Sequence, residues 1–156
     1  MAYLQRALNN ARNIGNREQE ALALYNLARA YLRIENMNAA IRSVAELHDV
    51  AESLDADRYR ALAAFVRGEL LFQQNKRSEA IAELNKAALA AQTAVDRGVL
   101  WKLHATMSYV IDNEAIAAVH RDIAASFERH AAEPLTAPAL KNTFVNAPPV
   151  LAILHA

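Results

Sequence analysis

His48 and Glu52 stand one helical turn apart, a spacing at which two side chains of one helix can hold a metal ion. The commoner meaning of such a pair is a solvated helix face, and no metal is expected there. Glu79, Glu83 and Lys86 follow the same logic: their spacing suits local ion pairs on an exposed face better than an acid/base dyad. The other histidines are His104, His120, His130 and His155, and no Ser is joined to a His and an acid in a recognisable motif. Gly15, Gly68 and Gly98 stand too far apart to form a phosphate-cradling loop. The chain has no Cys, which excludes disulfides, thiolate zinc sites and cysteine nucleophiles. Trp101 is expected to pack in a core rather than stack on a ligand. The residues able to do chemistry therefore form no catalytic set, and the expectation is a protein that is not an enzyme and has no cofactor.

What must position these side chains is legible in the composition. Of 156 residues 54% are hydrophobic but only 6% aromatic, so the apolar content is mostly Ala, Leu, Val and Ile. Ala and Leu favour helix, and 3 Gly and 4 Pro leave few interruptions. The fold class expected is all-α. Seventeen basic and 17 acidic residues cancel, so no field steers the chain towards nucleic acid or an anionic membrane. Neutrality also removes one barrier to self-association. "MAYLQRALNN" has no basic stretch followed by a long apolar core, and no apolar run nears the ~20 residues that span a bilayer. A soluble cytoplasmic protein is expected.

Breaks recur about every 40 residues at "IGNRE", "LDADR" and "VDRG", with weaker ones between them at "ENMN", "QNKRS" and "DNE". Asn, Asp and Gly there suit helix caps, and the alternation suggests two kinds of turn. Between the breaks the apolar period is helical. Leu24, Leu27, Ala28 and Tyr31 share one face; Ala40, Ile41, Val44, Leu47, Ala51 and Leu54 share the next; Ala80, Ile81, Leu84, Ala87 and Ala91 repeat it. Turns this short permit only antiparallel helix hairpins. Ala28 and Gly68, Ala40 and Ala80, and the series Ala7, Leu47 and Ala87 are each spaced by 40 residues. A hairpin cannot bury both its faces alone, so a repeated hairpin stacks on its copy as a solenoid. Gly68 inside a helix costs ~1 kcal/mol relative to Ala, which marks it as a point of close helix approach.

On these residues the chain resembles the tetratricopeptide repeat family. "NLARAYLRIENMNAAIRSVAEL" reads as one repeat and "VRGELLFQQNKRSEAIAELNKAAL" as the next, although Arg67 stands where the motif expects Leu and neither repeat ends in Pro. Residues 1–14 look like half a repeat, followed by repeats at about 17–54, 57–95 and 97–132, with His120 and Phe127 in place of small residues in the last. Residues 134–156 look like a short C-terminal capping segment, with helices opening near Pro138 and Pro148. Lys141, Phe144-Val145, Pro148-Pro149 and Ile153-Leu154 are similar in order to the close of long-repeat arrays in large bacterial signalling ATPases, nucleotide cyclases and transcriptional activators. The resemblance implies a TPR-like right-handed superhelix and suggests the C-terminal piece of something larger.

It also implies a function. First helices of such repeats line a concave groove that binds a peptide or a partner's helix, without catalysis. Helical spacing maps groove positions to Leu22, Tyr25, Asn26, Arg29 and Arg33, then Leu62, Phe65, Glu69, Phe72 and Gln73, then Lys102, Thr106 and Tyr109. Leu22 and Leu62 serve equally well as core between repeats. Arg29 and Glu69 are expected side by side as an exposed pair that orients a partner, with Tyr25, Phe65 and Phe72 supplying the affinity. The partner expected is a protein or peptide, not nucleic acid or membrane. The alternative is a self-association domain, a homo-oligomer formed through an exposed end near Leu4 and Leu8.

Overall fold

The computed structural model describes residues 1–148 and Val150. Among them the regular elements are helices and no strand occurs: α1 (Ala2–Asn13), α2 (Arg17–Arg33), α3 (Met37–Leu54), α4 (Asp57–Gln73), α5 (Arg77–Thr93), α6 (Arg97–Val110), α7 (Glu114–Ala132) and α8 (Pro138–Val145). The chain is all-α and divides into two compact units, Met1–Asp96 and the chain from Arg97 onward, the first of them a solenoid-like array of consecutive hairpins. In the first unit each helix packs on the next, and α2 also packs on α4, which stacks the α2–α3 hairpin on the α4–α5 hairpin. In the second, α6 pairs with α7 and α8 lies on α7. No helix among the described residues is long and apolar enough to cross a membrane.

The turns of the first unit share a left-handed residue, and four of the five close in the same way. Gly15, Glu35, Asp55, Asn75 and Val95 all have positive φ, one every 20 residues. At four of them the next N–H reaches back five residues, Asn16 to Ala11, Asn36 to Tyr31, Lys76 to Leu71 and Asp96 to Ala91, while the left-handed residue bonds three back. This is the Schellman closure, which satisfies carbonyls left open at a helix end. The next helix then starts at once: Asn16 and Asn36 accept from Gln19 and Ala39, and Asn113 does the same for Ile116. The turns looked different in sequence because only one of the five left-handed positions carries Gly.

That economy has a cost at Val95, whose φ of 54° forces a β-branched side chain into the left-handed region. Such a conformation costs an L-residue about 1–2 kcal/mol. The side chain is exposed and buries little there. Val95→Gly is expected to stabilise the first unit by about 1 kcal/mol, read as a higher denaturation midpoint at unchanged slope.

Burial follows the repeat. Ala28, Ala40, Leu47, Ala80, Leu84 and Ala87 are sealed from solvent, and a Cβ built on Gly68 would lie 2.8 Å from Cγ of Leu84, so α4 and α5 do touch at that glycine. Two expectations shift. Ile41 is exposed because it lies at the edge of its stripe, and Leu8 is buried, so the first helix does not present it as an open end. Leu4 and Ala7 remain half-buried. In the C-terminal segment α8 opens with Pro138 at its start, as expected, whereas Pro149, Ile153 and Leu154 lie outside the described residues.

Candidate functional sites

Arg29 and Glu69 meet as their 40-residue spacing predicts. Arg29 Nε and Nη2 donate to the two carboxylate oxygens of Glu69 at 3.0 and 3.1 Å, and Nη1 donates to the Tyr25 hydroxyl at 3.2 Å. The guanidinium carbon lies 5.6 Å from the Tyr25 ring centre and 5.3 Å from that of Phe65. The pair is therefore not the exposed one expected. Its side chains retain 24% and 14% of their accessibility, and Tyr25 and Phe65 are buried beneath it. Burial acts to lower the Arg29 pKa, but the charges of and hydrogen bonds to Glu69 and Tyr25 together outweigh it, and the value rises above the ordinary one. Burial likewise raises the Tyr25 hydroxyl. A forked, half-buried bond between stacked helices is a fastening between hairpins.

The other mapped positions separate by depth. Asn26, Arg33 and Gln73 are exposed, Leu22 and Phe72 half-buried, and Leu62 buried as core. Gln73 donates to the Leu32 carbonyl at 3.4 Å, so it too bridges α4 and α2. Lys102, half-buried, lies with Thr106, buried, and Tyr109, exposed, on α6 in the second unit.

One groove of the first unit runs between α1 and α2. A concavity of about 490 Å³ is lined by Leu4, Ala7, Leu22 and Ala23, with Arg6, Asn10, Gln19 and Asn26 around them and Tyr3 at its edge. On one side it is held by Arg12 of α1, which donates to the buried Glu20 of α2 at 2.9 Å and also to Glu46 of α3. These two carboxylates, Glu20 first, raise the Arg12 pKa.

His48 and Glu52 line a separate cleft of about 260 Å³ with Arg60, Arg67, Glu83 and Lys86. Glu83 pairs with Lys86 at 2.8 Å, the local ion pair anticipated for that run. Among the described residues no cluster of three or more His, Cys, Asp or Glu could hold a metal.

The second unit holds features that the motifs did not signal. His104 and His120 stand eight residues either side of Asp112, and the α6–α7 hairpin brings their Nδ1 atoms to 2.8 Å with rings stacked at 5.0 Å. One Nδ1 must donate and the other accept. Burial lowers both pKa values, and at His104 the charge of His120 adds to it. Phe127 stacks on His104 at 6.3 Å. Beyond it opens a cavity of about 580 Å³, lined by Trp101, Phe127, Ala131, Pro134, Phe144 and Val150, with Arg97, Gly98, His130 and Glu133 also on its lining. Glu128 lines it too, only 3% exposed, and neither carboxyl oxygen has a hydrogen-bond partner among the described residues. Burial pushes its pKa up to about 7.

A carboxyl raised in this way favours folding while the solution is acidic and opposes it once the folded group must ionise. Between pH 4.5 and 7 the unfolded chain has lost the proton that the folded one keeps, so stability falls by about 1.4 kcal/mol per pH unit. The histidine pair acts in the opposite direction, because it loses stability as pH drops below the ordinary imidazole value of about 6.5. Glu128→Gln removes only the carboxyl contribution. Its stability relative to the parent chain is expected to rise by up to about 3 kcal/mol between pH 4 and pH 8, as read from denaturant unfolding at each pH.

No protein-family model matches the chain, and no curated protein is significantly similar to it.

Proposed function

We propose that the protein is a non-catalytic interaction module that binds a peptide or helical segment of a partner protein in the groove between α1 and α2. The observation that supports this reading is the composition of that groove. Leu4, Ala7 and Leu22 offer apolar surface, with Asn10, Gln19 and Asn26 as hydrogen-bonding groups along it. Such a groove suits an amphipathic segment whose apolar side chains recur every three or four residues. The likeness of the C-terminal stretch to the ends of bacterial signalling proteins supports a regulatory setting, and the balanced charge favours a protein partner over nucleic acid.

A displayed peptide library selected on the folded chain tests the reading. Selected peptides are expected to lose at least tenfold in affinity against Leu22→Glu or Asn26→Arg. Undiminished binding to these variants, provided they melt like the parent, would remove the groove from consideration. Tyr3, 81% exposed beside the groove, favours the alternative that a second copy of the chain docks there. Sedimentation across a concentration series separates the two, since self-association predicts a mass that grows with concentration in the parent and not in Leu22→Glu.

A further inference from the structure

Among the residues that line the cavity of the second unit, one charged side chain is deeply buried, that of Glu128. Glu128 is nine-tenths buried or better, and both its carboxyl oxygens lack a donor among the described residues. Buried polar groups are almost always paired, so an orphan on a cavity wall marks the place where something else supplies the donors. Trp101, Phe127 and Phe144 are among the residues that line the cavity with it. Aromatic faces carry negative charge density and attract a cation placed over them. The volume, about 580 Å³, is that of a small-molecule site.

We infer that this cavity is a binding site for a small organic cation, an ammonium or amidinium group carried on an apolar body, whose N–H donors pair with Glu128. An amidinium has two parallel N–H groups and matches both carboxyl oxygens at once, the fork geometry that makes such pairs strong. A neutral amide of the same shape would gain the apolar contacts and could donate to the carboxyl, but it has neither the charge that offsets an ionised carboxylate nor parallel donors on two nitrogens. An anionic ligand would set like charges together at the cavity wall. Arg97 is exposed, and His130 and Glu133 form an exposed pair at 3.4 Å, so none of the three pairs with Glu128 in the cavity. The elevated pKa of Glu128 supports this picture, because a group that resists ionisation when alone gains most from a cation beside it.

Trp101 is the single tryptophan of the chain and lies on the cavity wall, so its fluorescence reports occupancy directly. The full chain is titrated at pH 8 with benzamidine, with its neutral isostere benzamide and with benzoate, and the same titrations are repeated by calorimetry. Benzamidine is expected to bind saturably and at least tenfold more tightly than benzamide, with benzoate weakest. Glu128→Gln is expected to erase the difference between benzamidine and benzamide while leaving both able to enter. Should the amide variant not fold, Glu128→Leu gives the same reading. The inference is overturned if benzamidine gives no saturable signal, if benzamide or benzoate binds as well, or if the variants keep the preference for the cation.

Discussion

Ala80→Arg is expected to abolish cooperative unfolding of the Met1–Asp96 unit. Ala80 is fully buried, and its carbonyl oxygen lies 3.3 Å from where a side chain on Gly68 would begin. α4 and α5 are therefore separated here by no more than a glycine permits. A longer side chain must push the helices apart, which costs about 1–3 kcal/mol. Burying the guanidinium at such a contact costs several kcal/mol more. Together these approach the roughly 5–15 kcal/mol that holds a whole domain folded. Ala82→Arg, two residues on and exposed, is the matched control and should melt like the parent. If Ala80→Arg melts within a few degrees of that control, α4 and α5 do not approach in the register described.

The 40-residue repeat was legible because small and large apolar residues recur in register and a hairpin has one way to bury them. Ala28 and Gly68 stand at equivalent places, as do Ala40 and Ala80, and all four are buried. The left-handed residue that the turns share was not legible. Glu35 and Val95 take the same left-handed conformation as Gly15, since the Schellman bonds select it and the penalty is small beside the packing of two helices. Depth within the α2–α4 face was also hidden. Helical spacing put Tyr25, Arg29 and Phe65 on one side of their helices, but whether that side faces a groove or a neighbouring helix depends on how closely the hairpins stack.

The second unit illustrates a different limit. His104 and His120 could have been paired from the sequence by folding the chain about Asp112, which stands midway between them. Glu128 could not. A glutamate in the helical run "SFERH" reads as a solvated side chain, and only the packing of α7 with the segment that carries Phe144 and Val150 shows it to be enclosed. A buried carboxyl without a partner violates the rule by which sequences are read, and such violations tend to collect where a ligand completes the structure.

Phe65→Ala is expected to cost the first unit about 3–5 kcal/mol, the range for truncating a fully buried aromatic side chain. The loss has two sources. The ring vacates the core, and its face no longer supports the Arg29 guanidinium, which it flanks together with Tyr25, the two ring centres being 6.4 Å apart. The second source makes a further result measurable. With Phe65 gone the Arg29–Glu69 fork loses one wall, so Glu69→Gln should do less harm in the Phe65→Ala background than in the parent. A coupling of about 0.5–3 kcal/mol between the two sites is the size expected for residues sharing one partner. Additive effects would mean that the ring and the ion pair stabilise the stack independently. Phe72, only half-buried, should cost distinctly less than Phe65 when cut to Ala. Phe65→Ala is therefore a probe of the stack and not of a binding surface, because this side chain is sealed from solvent.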